Sequence, residues 1–136
     1  MLKLINTRVQ AGISSYLAPA TECSDLGVNL DGLLIDDPTS TYVAIADGES
    51  MTGLGIFSGD LLLVARDSDL KDNDIIVADL NGQFVCKQID KKSGRLLSAA
   101  KGFEPYTLKP GDHFHIEGVV VRSVRLHRAI NPIQAA

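Results

Sequence analysis

Asn81-Gly82 stands between two runs of β-forming residues, "DIIVADL" (74–80) and "QFVCKQID" (83–90). A two-residue connection of this kind takes a type I′ turn, whose backbone needs φ > 0 at both positions, and Asn and Gly tolerate that conformation. The two runs are therefore predicted to lie antiparallel, side by side. The same grammar continues along the chain in "TYVAIAD" (41–47), "DLLLVAR" (60–66), "RLLSAA" (95–100) and "HFHIEGVVVRSVRLHR" (113–128). β-Branched and apolar residues fill these runs, and Gly, Asp, Asn or Pro marks each junction. Lys92-Ser93-Gly94 and Lys109-Pro110-Gly111-Asp112 supply two further turns. Six such strands with no long amphipathic helix predict a mainly β domain over residues 41–136. The last strand is long enough to curl through a bulge at Gly118.

Residues 1–40 have a different texture. Glycine, serine and proline break up short apolar bursts, which predicts an extended arm with one or two short elements. "VNLDGLLID" (28–36) is the best candidate for a brief helix or strand. The tail "INPIQAA" reads as a frayed end.

At 136 residues the chain is most simply one domain with a real core. Its formal charge of −4 argues against a dedicated, sequence-reading DNA surface, which shows as a basic excess. No apolar run approaches the roughly 20 residues that span a bilayer, so no membrane partner is expected. Cys23 and Cys86 lie far apart in unlike contexts and read as free thiols of a reducing cytoplasm.

The stretch "ADGESMTGLGIFSGDLLLVA" (46–65) raises a chemical question. Ser50 sits in a Gly-rich turn, and no histidine lies within sixty residues of it. A serine hydroxyl is a poor nucleophile unless a base lies within hydrogen-bond reach. Lys87, in "QFVCKQI", is surrounded by Phe84, Val85, Cys86 and Ile89, and desolvation lowers a lysine's pKa because the charged form loses its hydration. A neutral Lys87 amine could take the Ser50 proton. Pattern alone leaves the plain readings open: a serine in a turn, and a lysine whose amine snorkels to water.

The motifs in order are more specific. "GESM", the Gly-rich turn, "GDLLLV" and "DIIVADLNGQFVCKQI", with Lys87 37 positions after Ser50, resemble the LexA/UmuD family of self-cleaving serine peptidases. "FEPYTLKPGDHFHIEGVVVRSVR" resembles that family's closing segment, although "AKGFEP" lacks an asparagine often found before it. The resemblance implies a LexA-like C-terminal peptidase fold of short twisted strands behind an extended N-terminal arm. It implies that Ser50 is the nucleophile and Lys87 the general base. "RVQAGISSYLAPA" resembles the cleavage-site segment, making Ala11-Gly12 the scissile bond, 38 residues before Ser50. At roughly 3.3 Å per extended residue, that tether reaches the site in the same subunit or a neighbour. Backbone N–H groups near Glu49 and Ser50 are the expected oxyanion donors.

Only eleven residues precede Gly12, which leaves no room for a DNA-reading domain and makes the arm more UmuD-like than LexA-like. The likeness then implies a cytoplasmic homodimer of the SOS response. A RecA–single-stranded DNA filament would stimulate its cleavage, and the trimmed form would serve a UmuC-like Y-family DNA polymerase in translesion synthesis. Two alternatives stay open: a non-proteolytic dimeric interaction module, and a truncated LexA-type or phage-type repressor fragment. Signal peptidases share the Ser-Met motif and lysine base but need a membrane anchor.

His113 and His115 share a strand face without an evident third ligand, so neither metal nor cofactor is expected. Asp36-Asp37 reads as a solvated turn. Lys91-Lys92, Arg122, Arg125 and Arg128 read as solvated charge in preference to a basic edge.

Overall fold

A computed structural model describes residues 2–5 and 23–130. Contacts divide the chain into two units, residues 1–36 and 37–136. In the first, β1 (Lys3–Ile5) pairs antiparallel with β2 (Cys23–Asp25), and Lys3 forms an ion pair with Asp25 across the ladder. Helix α1 (Leu30–Leu34) follows, within the span read as a brief helix or strand. Asn29 caps it: the side-chain carbonyl accepts the Gly32 N–H at 2.8 Å, satisfying a donor that the first turn leaves free.

The second unit is built on one seven-stranded antiparallel sheet. Its strands are β3 (Thr41–Ile45), β4 (Leu61–Ala65), β5 (Ile75–Leu80), β6 (Gln83–Asp90), β7 (Arg95–Leu97), β8 (Tyr106–Thr107) and β9 (Phe114–Val124). Their spatial order is β3-β4-β9-β5-β6-β7-β8. The predicted hairpin is present: Leu80 pairs with Gln83, and Asn81 and Gly82 have φ of 54° and 85°. Two predicted spans differ most in extent. β7 ends at Leu97, not residue 100, and the 113–128 run is a strand only over Phe114–Val124. The small strand β8 was not anticipated.

β9 runs between β4 and β5 and bends at two irregularities. Against β5 the register passes from Gly118 to Ile116, skipping Glu117, beside the bulge expected at Gly118. Gly118 is required by close approach: a Cβ there would lie 2.7 Å from Val64 Cγ1 and 2.8 Å from the Ala65 carbonyl oxygen.

Alternation along the strands separates two apolar clusters. Ile76, Ala78, Ile89 and Leu96 form one, and Ala46, Met51, Ile56, Leu62, Val64 and Val77 the other. Leu62, Val64, Ile76 and Leu96 are the largest fully enclosed side chains. Each contributes about 2 kcal/mol by leaving water. The second cluster holds the connection that carries Ser50.

Candidate active site

Ser50 lies in the connection from β3 to β4. Two backbone bonds close its base: Ala46 N–H to Asp60 C=O and Gly59 N–H to Ala46 C=O, both 2.8 Å. Inside it, Met51 and Ile56 are buried among Leu62, Val64 and Val77. The Met51 carbonyl accepts the Leu54 and Ile56 N–H groups at 3.0 and 3.2 Å, around a 3-10 turn at Thr52–Leu54. The two apolar anchors hold the turn down and leave Ser50, just before Met51, half-buried.

Asp60 finishes the connection and is only 3% exposed. A carboxylate so enclosed needs a counter-charge. Arg125, just beyond β9, supplies it: Nε donates to Oδ1 at 3.1 Å and Nη2 to Oδ2 at 3.0 Å. Nη2 also donates to the Gly55 carbonyl at 2.8 Å, and the guanidinium lies 4.0 Å from the Phe57 ring centroid. The hydrogen bonds from Arg125, against an opposing push from burial, hold the Asp60 pKa below the ordinary carboxylate value. Arg125, read from the sequence as solvated charge, is exposed but also pairs with a buried carboxylate. Its partner lies 65 residues away, and nothing local in the sequence announces it.

Lys87 lies on β6 opposite the fully buried Ile76. By alternation it shares a face with Val85 and Ile89, which pack against Ile76, Ala78 and Leu96. The side chain is half-buried, and burial pushes its pKa below the ordinary lysine value. Its Nζ donates to Ser98 Oγ at 2.8 Å and lies 5.9 Å from the centroid of the Phe103 ring. Burial also pushes the neighbouring Cys86 thiol up to about 11.

The structure brings Ser50 and Lys87 to the wall of one cavity of about 190 Å³. Asp47, Gly48, Met51 and Ile56 line it from one side, and β6 residues 83–87 from the other. A larger cavity of about 570 Å³ also lies between β3 and β6 and shares Ala46, Asp47, Phe84, Val85 and Cys86 with the first. Its floor includes Leu62 and Val77, and Tyr42, Arg66 and Glu117 add polar groups. Phe84, 70% exposed, stands at the border of both.

Ala11 and Gly12 lie outside the described residues. Glu49 is exposed beside Ser50, and its carbonyl accepts the Thr52 N–H at 3.3 Å. His115 Nε2 lies 3.9 Å from a Glu117 carboxylate oxygen, and the described residues hold no cluster of three or more His, Cys, Asp or Glu suited to a metal.

Ser98 and Ala99 were missed by the sequence reading, which ran a strand straight through them. The backbone at Ala99 ties to the Ser50 turn: its N–H donates to the Ser50 carbonyl at 2.7 Å, and its carbonyl accepts the Gly53 N–H. The bend that takes this segment out of the strand is therefore what joins the Lys87 strand to the Ser50 turn.

The family described as "Peptidase S24-like" matches residues 3–121, a span that includes the Ser50 turn, β6 and most of β9. The chain belongs to the peptidase S24 family. LexA repressor 2 of Pseudomonas putida is 36% identical to this S24 chain over 101 residues, covering 70% of the chain and 50% of the repressor. Protein ImpA of Salmonella typhimurium is 34% identical over 107 residues, 79% of the chain and 68% of ImpA. The LexA repressor of Bordetella pertussis is 34% identical over 120 residues, 87% of the chain and 54% of the repressor. The S24 chain thus spans about half the length of these LexA repressors and about two thirds of ImpA. Among its described residues no helix is long and apolar enough to cross a membrane.

Proposed function

We propose that this S24 chain is a serine endopeptidase that cuts itself between Ala11 and Gly12, with Ser50 as nucleophile and Lys87 as general base. One observation carries the reading: Ser50 and Lys87 line the same small cavity, where burial pushes the Lys87 pKa below the ordinary lysine value. Among the described residues no histidine lines that cavity, and Lys87 is the one amine on its wall.

In the reaction Ser50 Oγ attacks the Ala11 carbonyl carbon while Lys87 Nζ takes the hydroxyl proton. The N–H groups of Glu49 and Ser50 are assigned to the oxyanion that forms. Collapse breaks the Ala11–Gly12 bond, and the Lys87 ammonium returns its proton to the Gly12 nitrogen. Water, deprotonated by the same amine, then releases Ala11 from Ser50 as a carboxylate.

Residues 1–40 act in this scheme as the arm and substrate, and residues 41–136 as the peptidase and dimerisation domain. Covering the cavity with the arm excludes water and lowers the Lys87 pKa further. The rate then follows the population of the covered state, which a partner can raise without adding a catalytic group. The likeness to ImpA and LexA supports a role in the SOS response, with a RecA–single-stranded DNA filament as that partner. The trimmed homodimer then acts as accessory subunit of a UmuC-like translesion polymerase.

The test is the mass of the purified chain at pH 7.5 and at about pH 10. Loss of residues 1–11 at the higher pH, abolished by Ser50→Ala and by Lys87→Ala, is expected. A chain that stays intact at both pH values, and with RecA, ATP and single-stranded DNA, would establish a non-proteolytic module instead.

A further inference from the structure

β6 and β7 pair with Gln88 opposite Leu97, Ile89 opposite Leu96 and Asp90 opposite Arg95. Extending that register by one residue sets Ser98 opposite Lys87, and residues directly opposite on antiparallel strands project on the same face. The ladder stops at this point. Ala99 gives its N–H to Ser50 and its carbonyl to Gly53, so the chain leaves β6 one residue after Ser98. The Ser98 hydroxyl accepts from Lys87 Nζ at 2.8 Å, and Phe103, five residues on, covers the same amine. One short segment thus grips the lysine by a side chain and the serine turn by its backbone.

We propose that Ser98 is a positioning residue for the self-cleavage reaction, holding the Lys87 amine in register with the Ser50 turn. The inference rests on the Ser50/Lys87 reading above. An unheld lysine has four side-chain torsions to order before its lone pair meets the Ser50 proton. With one N–H fixed on Ser98, and Ser98 joined through Ala99 to Ser50, that ordering is done before the arm arrives. A hydroxyl accepting from the amine also favours the ammonium over the neutral form, because the charged donor makes the stronger bond. Ser98 therefore has two opposed effects: it raises the rate of the deprotonated enzyme and moves deprotonation to higher pH.

The charged groups around the amine do not supply this pattern themselves. Asp47 lines the cavity from the connection after β3, and Cys86 adjoins Lys87 on its own strand. β5 presents Ile76, and the 98–103 segment carries only the exposed Lys101.

The experiment follows self-cleavage of the full chain by mass from pH 6 to 11 for the unaltered protein, Ser98→Ala and Ser98→Thr. The Lys87 13Cε resonance is titrated in parallel in a Ser50→Ala background, with and without Ser98→Ala. Ser98→Ala should lower the plateau rate about tenfold and move both midpoints to lower pH. Ser98→Thr, which keeps the hydroxyl, should restore rate and midpoint. An unmoved Lys87 midpoint, or a rate loss that threonine does not repair, overturns the role of Ser98 while leaving the dyad intact. If the unaltered chain never cleaves at any pH, the proteolytic reading falls, and the positioning role with it.

Discussion

Ala99 donates its N–H to the carbonyl of Ser50, 49 positions earlier in the chain, at 2.7 Å. The bond is half of a reciprocal pair, since the Ala99 carbonyl takes the N–H of Gly53. It couples the turn carrying the candidate nucleophile to the segment that touches the candidate base.

Gly53 is the weak point of that coupling. A Cβ at this position would run into the Ala99 carbonyl oxygen. Backbone cannot yield as a flexible side chain would, so Gly53→Ala should cost about 1–3 kcal/mol. Urea unfolding reads this directly. Self-cleavage should slow more than stability alone explains, and an unchanged cleavage rate at full folding would disconnect the turn from catalysis.

Arg125→Ala should leave the Asp60 carboxylate enclosed without its counter-charge. We expect a fall of several degrees in Tm. The acid side is equally informative. Asp60 has a lowered folded-state pKa, so its contribution is present above the unfolded value near 3.8 and is lost as pH falls through the folded one. The unaltered protein should therefore lose stability below about pH 4 more steeply than the variant does. Parallel curves would show that the pair contributes nothing.

Lys87 has the opposite linkage. Its folded-state pKa lies below the unfolded 10.5, so holding it charged costs stability at neutral pH, a cost relieved as pH rises from the folded value to 10.5. Lys87→Met should raise Tm at pH 7 by a few degrees, lose most of that advantage above pH 10.5, and abolish cleavage throughout. A variant less stable than the parent at pH 7 would mean that the amine's contacts to Ser98 and Phe103 outweigh its burial.

The cysteines should separate by reactivity. Both are free; Cys23 is exposed, whereas burial pushes the Cys86 thiol up to about 11. At pH 8 only a small fraction of Cys86 is thiolate, and the thiolate is what reacts. Iodoacetamide on the native protein should add one label, at Cys23, with Cys86 following only on unfolding. Equal labelling of both in the native state would overturn the enclosure of Cys86.

Self-pairing and turn chemistry made much of the fold readable. Asn81-Gly82 names its own turn, and the alternating runs around it leave a β-strand as the structure that buries one face of each. Ser50 and Lys87 stood out for similar reasons, one as a serine in a Gly-rich turn and the other as a charge inside an apolar strand. The motif order then tied both to a family. Those features are local, or repeat at a period the chain itself displays.

Tertiary structure decided what depends on partners distant in sequence. Nothing near Arg125 distinguishes it from Arg128, yet Arg125 meets an enclosed carboxylate on another connection. The run "RLLSAA" was read as strand to its end, but Ala99 turns away to hydrogen-bond with the backbone of the Ser50 turn. Propensity is set by each residue and its neighbours; the partner that satisfies a backbone N–H or a buried charge is set by which strands lie side by side. The sequence by itself determined most strands of the large sheet, the hairpin and the two candidate catalytic side chains, while the packed sheet alone decided that Ser98 and Ala99 would join them.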